Sequence, residues 1–281
     1  MHRRDEVRQL LAMSRDQMRA QAGERLVVVP DLDALHLHFA RSIADEIRTN
    51  NAANTPTRLI LPVGPVGQYP LLAELVNRQR LSLQHCWFFM MDEHADDDGV
   101  ELSAEHPLAL RRTFQEQFVR RVVPELLPPP EQMLFPGQGN LGRLKQLISA
   151  DGGIATTYGG IGIHGHLAYN EPEPGVRDSD PRQVRLNEFT RTINAVRAEI
   201  GGNLENYPRL ALTLGMRQLL AARRIRLYCR NGLALDWANT VLRVALFGRP
   251  DDDYPVTHLR DHADYVIVTD EQTARGPKFV V

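Results

Sequence analysis

Short apolar runs alternate with longer amphipathic stretches along most of this chain, and that alternation restricts the folds open to it. RLVVVP (25–30) precedes LDALHLHFARSIADEIRTN, and RLILPVG (58–64) precedes YPLLAELVNRQ. HCWFFMMDEH (85–94) reads as a third strand, followed by a loop and the helical pattern PLALRRTFQEQFVRRVV. ATTYGGIGIHGH (155–166), RLALTLG (209–215), RIRLYC (224–229) and DYVIVTD (264–270) complete the series. Strands alternating with helices predict a three-layer α/β fold: a doubly wound, mostly parallel, modified Rossmann-like sheet with helices on both faces. Several runs are apolar almost throughout, as strands buried on both sides must be. Residues 1–24 stand outside the alternation and read as an N-terminal helical extension, added to a single α/β domain over 25–281.

The bulk numbers narrow the function classes. The chain has 281 residues, 43% hydrophobic and 24% charged, which is ordinary for a globular protein. A formal charge of -2 gives no global case for nucleic acid or an anionic membrane as partner. Cys86 and Cys229 lie in apolar runs and read as core residues of a reducing compartment. No run approaches the length of a membrane span, and the charged N-terminus lacks the apolar stretch of a secretory signal, so the expectation is a cytoplasmic protein.

Ligands in such sheets bind beyond the carboxyl ends of the strands. Asp92-Glu93-His94, the VGPVG loop and the turn GGIGIHGHLAYNEP (159–172) all fall at predicted carboxyl ends. A carboxylate placed there is suited to general-base work if partial burial tunes its pKa. His164 and His166 point the same way if the segment is extended, and Glu171 adds a carboxylate a few residues on. Histidine passes protons between oxygens near neutrality, which suits a hexose that must open its ring and shift a proton from C2 to C1. The i, i+2 pairs Asp92/His94 and His164/His166 also have the chemistry to ligate a divalent metal, although the preferred reading assigns no metal. His36 and His38 lie two apart on a helical pattern, do not share a face, and are not read as a site.

At these residues the chain resembles the glucosamine-6-phosphate deaminase (isomerase) family. HCWFFMMDEH with AEHPLALRRTF, then GGIGIHGHLAYNEP and YPRLALTLGMRQLL, carry the likeness from about Arg25 to Glu271. The Asn-Glu-Pro ending separates it from the sister 6-phosphogluconolactonases. The resemblance implies that Asp92 moves the proton between C2 and C1, that His166 assists ring opening, and that Glu171 holds and tunes that histidine. The family's relay aspartate stands where this chain has His164, which brings no fixed negative charge. The phosphate loop, Gly-Ser-Thr-Pro in the family, is here Gly64-Pro65-Val66-Gly67-Gln68, without a hydroxyl and with Pro65 lacking an N–H. Arg197 matches the family's phosphate-binding arginine, the family's lysine falls at Leu233, and Arg230 and Asn231 stand close by. The chemistry implied needs no redox or organic cofactor. The partner implied is a small sugar or sugar phosphate, and assembly into a homo-oligomer is implied as well. Two alternatives stay open at this point: a sugar-lactone hydrolase, and a non-catalytic or altered-specificity sugar-binding descendant.

Overall fold

In the computed structural model, residues 2–150, 152–231 and 236–281 are described. The strands are β1 (Leu26–Val29), β2 (Thr57–Leu61), β3 (Cys86–Met90), β4 (Asp92–Ala95) and β5 (Met133–Leu134). They continue with β6 (Thr156–Gly160), β7 (Arg182–Arg185), β8 (Leu210–Thr213), β9 (Arg224–Cys229) and β10 (Tyr265–Asp270). The helices are α1 (Arg3–Leu11), α2 (Arg15–Ala22), α3 (Leu32–Ala52), α4 (Gln68–Gln79) and α5 (Leu110–Gln117). They continue with α6 (Leu141–Ile148), α7 (Glu188–Arg197), α8 (Met216–Leu220), α9 (Ala238–Phe247) and α10 (Glu271–Ala274).

Seven strands form one sheet in the order β1-β10-β9-β6-β2-β3-β5, and every pairing in it is parallel. Successive side chains of a strand face opposite ways, so each strand feeds two cores. Leu59 and Leu61 of β2 join the core under α3 and α4, whereas Ile60 joins the core under α8 and α9. Phe88 and Met90 divide from Phe89 in the same manner. These are the three layers expected from the alternation.

Helix α3 shows how local sequence sets one layer. Asp31 caps it by accepting the N–H of Ala34 at 2.8 Å. Leu35, Phe39, Ile43 and Ile47 recur every fourth residue and are fully buried. Phe39 lies flat on Tyr228 of β9, with ring centroids 3.7 Å apart and planes within 2°. Residues 3–22 form two helices rather than one, because Ser14 opens α2 with a reciprocal capping box to Gln17. Met18 of α2 is fully buried in the α8/α9 core, which ties this segment to the domain.

One apolar run pairs differently from its neighbours. Residues 209–215 carry the same pattern as the parallel strands, yet β8 pairs antiparallel with β4 and β7 in a separate three-stranded sheet. The run 85–94, read as a single strand, is divided at Met91. Its N–H donates to Leu61 O in the main sheet at 2.9 Å, while its carbonyl accepts from Leu214 N at 2.8 Å. The chain thus leaves the parallel sheet at the carboxyl end of β3, and Asp92 opens the small sheet.

Truncating Phe39 to alanine removes the stacked partner of Tyr228 from a closed core. The expected loss is about 3–5 kcal/mol of unfolding free energy, the range for buried Phe→Ala changes. Denaturant unfolding checks it, and a loss below about 1 kcal/mol would contradict this placement of α3.

Candidate active site

Asp92 is 8% exposed and pairs with Thr213 across β4 and β8. Among the described residues nothing donates a hydrogen bond to its carboxylate. Burial pushes its pKa up to about 7, with the neighbouring Glu93 carboxylate adding to the rise. Glu93 points the other way and is structural. It accepts the N–H groups of Leu110 at 2.7 Å and Arg111 at 2.8 Å, capping α5, which has no cap of its own. His94 lies on the Asp92 side of the strand and is 3% exposed. Its Nδ1 meets Leu108 O at 2.7 Å and its Nε2 meets the Tyr169 hydroxyl at 2.7 Å.

The Gly-rich turn brings the second group of residues to this edge. β6 ends at Gly160, where an added Cβ would stand 2.9 Å from Pro65 Cδ, so only glycine lets the turn lie against the 64–68 loop. At Gly162 a Cβ would fall 1.8 Å from His166 Nε2. The turn closes on itself there, with Gly162 N donating to His166 O at 3.0 Å. The His166 imidazole is thus wedged against bare backbone. Burial first, then His164 and the Arg197 charge, lower its pKa to about 3, so it is a neutral imidazole at pH 7. His164 is half-buried, with its ring edge-on to Phe189 of α7 at 4.9 Å. Burial lowers its pKa as well.

Glu171 accepts the backbone N–H of Asn187 at 2.8 Å and so anchors the turn to the residue that caps α7. No hydrogen bond joins it to His166 among the described residues. His166 Nδ1 and Glu171 Oε1 are both buried without a partner, as is His164 Nδ1. Burial raises the Glu171 pKa.

Arg197, in the last turn of α7, lies over the Trp237 ring at 5.3 Å. Arg230 follows β9 at its carboxyl end. Burial and the Arg230 charge lower the Arg197 pKa to about 10, and burial lowers that of Arg230. Two guanidiniums close enough to repel, neither in a salt bridge among the described residues, make a site that favours an anion. The adjoining loop is Gly64 to Gln68. α4 starts behind Gly67 without a side-chain cap, but Tyr69 N–H donates to Val66 O at 3.0 Å and Pro70 carries no N–H, so among its first three residues only Gln68 offers a backbone donor to an anion. Gln68 is turned inward, its Nε2 donating to Pro65 O at 2.7 Å, so it braces the loop. His36, set aside on its sequence pattern, packs beneath this loop: a Cβ on Gly67 would stand 2.3 Å from its ring. Arg230 and burial both lower its pKa, burial being the larger cause. Leu233 lies outside the described residues.

Three buried tyrosines around Asp92 carried no signal in the sequence. Tyr69, Tyr169 and Tyr207 all lie close enough to feel its charge, which, with burial, raises their pKa values. Only the position of Tyr169 inside the turn could have marked it. Both nitrogens of His94 are engaged, and among the described residues no cluster of three or more His, Cys, Asp or Glu groups suits a metal ion. No described helix is long and apolar enough to cross a membrane. Cys86 and Cys229 are free and buried. A cavity of about 680 Å³ runs along α3 and contains none of these residues.

No protein-family model matches the chain. Among curated proteins it is 30% identical over 255 residues to the glucosamine-6-phosphate deaminase of Aeromonas salmonicida (strain A449), covering 88% of this chain and 90% of that one. It is 29% identical over 258 residues to that of Porphyromonas gingivalis (strain ATCC 33277), covering 88% and 91%. Among solved structures, a monomeric glucosamine-6-phosphate deaminase described as a missing link of the NagB superfamily superposes with a TM-score of 0.77. It is 26% identical, over 89% of this chain and 98% of that one. The 6-phosphogluconolactonase from Leishmania guyanensis shares the fold at a TM-score of 0.65 and 16% identity, over 90% and 98% of the two chains. With its parallel sheet, its Asp92 strand end and its Gly-His turn, the chain belongs to the glucosamine-6-phosphate deaminase family.

Proposed function

We propose that the chain catalyses aldose–ketose isomerisation with deamination of an amino sugar phosphate, glucosamine 6-phosphate being the first substrate to test. The observation that carries this reading is Asp92: a carboxylate buried at the carboxyl edge of the sheet, given no hydrogen bond by the described residues, with its pKa pushed up to about 7 by burial. A base poised there both takes a proton and returns it at neutral pH.

In this reading His166, as a neutral imidazole, moves the proton from the C1 hydroxyl to the ring oxygen and opens the pyranose. Asp92 removes the C2 proton and delivers a proton to C1. The nitrogen-bearing C2 then becomes an imine, which water hydrolyses to the ketose phosphate and ammonia. Glu171 Oε1 and His166 Nδ1 are both buried without a hydrogen-bond partner among the described residues, and a neutral imidazole with its hydrogen on Nδ1 would suit Glu171 as partner. His164 replaces a carboxylate, so less negative charge stands beside His166, and burial keeps its imidazole neutral. Arg197 and Arg230 take the phosphate, and Gly64, Pro65, Val66, Gly67 and Gln68 form the wall beside it.

NMR or a coupled assay for ammonia and fructose 6-phosphate tests the activity. Turnover is expected, with Asp92→Asn lowering kcat by roughly 10²–10⁴-fold, the range for a lost general base. No product at high enzyme concentration would remove the reading. Arg230→Ala is expected to raise KM with a smaller change in kcat, because phosphate binding is shared by ground and transition states.

Asp92 also makes stability depend on pH. Its folded-state pKa, about 7, stands above the ordinary aspartate value of about 3.8, so its contribution is fully present below about 3.8 and is lost as pH rises through about 7. Asp92→Asn is therefore expected to melt with the parent near the lower value. Above it, the variant should pull ahead as pH rises, the gap becoming constant beyond the upper value. Melting curves across pH check this, and a gap independent of pH would contradict it.

A further inference from the structure

His94 takes no part in the proposed chemistry, yet it is among the most enclosed polar residues beside it. It stands two residues after Asp92 on β4, so both side chains leave the strand on one face. Leu108 O can only accept, so the hydrogen of His94 must sit on Nδ1 in that 2.7 Å contact. Nε2 is then a bare lone pair, and in the second 2.7 Å contact the Tyr169 hydroxyl must donate to it. A phenol has one hydrogen, so that of Tyr169 is spent on His94. The same hydroxyl oxygen accepts from Asn194 Nδ2 of α7 at 3.4 Å, and the Tyr207 hydroxyl stands 3.3 Å from Nε2.

This node has two consequences. Tyr169 lies in the turn between His166 and Glu171, and its backbone N–H reaches Thr213 Oγ1 opposite Asp92. The His94–Tyr169 bond is therefore a direct tie between the strand of Asp92 and the turn of His166, joining residues 75 apart in sequence. The Tyr169 hydroxyl is also close enough to Asp92 to feel its charge, yet it has no hydrogen left to give. The other titratable groups facing Asp92 are Tyr69 from α4, Tyr207 from the segment before β8, and Glu93 on its own strand. His106 faces His94, and Arg197 acts on both Tyr169 and Tyr207.

We propose that His94 is a positioning residue: by holding the one hydrogen of Tyr169, it fixes the strand of Asp92 against the turn of His166 and keeps that hydrogen from the Asp92 carboxylate. Replacing His94 with an apolar ring frees that hydrogen for Asp92, and a donor to the ionised form lowers a carboxyl pKa. Removing the Tyr169 hydroxyl as well takes the donor away again. The double change removes both partners of the His94–Tyr169 bond together, while Leu108 O loses the hydrogen it accepts from His94 in the single and the double variant alike.

The inference rests on Asp92 being the base, but its test does not need activity. The titration midpoint of the Asp92 carboxyl, followed by ¹³C NMR in the full chain, is expected to fall by about one unit or more in His94→Phe. Tyr169→Phe and the double variant His94→Phe/Tyr169→Phe should both keep it near the parent value. If the parent turns over amino sugar phosphate, the acid limb of its kcat/KM profile should move to lower pH in His94→Phe alone. Tyr169→Phe should lower kcat with little change in KM, through the lost tie. Equal movement of the midpoint in His94→Phe and the double variant, or none in either, would overturn the proposal. Should His94→Phe not fold, His94→Gln keeps an acceptor for Tyr169 and must hold both midpoint and kcat. A shifted midpoint in His94→Gln would count against the role equally.

Discussion

Everything at this edge depends on how closely the 64–68 loop, the Gly-His turn and helix α3 approach one another, and glycines, whose side chain is a single hydrogen, make that approach feasible. Gly160 lets the turn lie against Pro65, Gly67 lets the loop lie on His36, and Gly162 leaves room for the His166 ring. A Cβ on Gly160 would push the turn off the 64–68 loop, one on Gly67 would push that loop off His36, and one on Gly162 would displace the His166 ring. The parallel sheet supplies the platform, since its strands all end on one side, and the division of the chain at Met91 delivers Asp92 to that side from a second sheet.

Burial at this edge then does opposite things to the two groups that need it. Desolvation disfavours the charged form of each, so it lifts Asp92 to about 7 and lowers His166 to about 3. Near neutrality this leaves one group that exchanges a proton readily and one that stays an uncharged donor and acceptor. Environments that drive two titratable groups apart are the usual physical basis for assigning separate roles. The arginine pair follows a related logic: burial and mutual repulsion lower the Arg197 pKa, burial lowers that of Arg230 against the opposing charge of Asp270, and neither is in a salt bridge among the described residues.

Much of the fold was legible because the alternation records burial, and burial on two faces implies a sandwiched parallel sheet. What the alternation does not record is partner identity. Residues 209–215 look like their neighbours but pair antiparallel, since a buried strand has the same composition in either sheet. β7, with sequence RQVR, and the two-residue β5 carried too little apolar pattern to stand out. At the site, Asp92, His164, His166 and the 64–68 loop were legible because loops after parallel strands share one edge. His36 was passed over because its role comes from a glycine in another loop. The His94–Tyr169 node and the Arg197–Arg230 pair join distant parts of the chain, and a sequence does not show which distant residues meet.

The most direct measurement is a crystal structure with an open-chain amino sugar phosphate analogue bound. The account expects C1 and C2 within about 3–3.5 Å of the Asp92 carboxylate, a near-attack distance, with the phosphate held between Arg197 and Arg230. A sugar bound with its phosphate away from both arginines, or with C2 remote from Asp92, would contradict it.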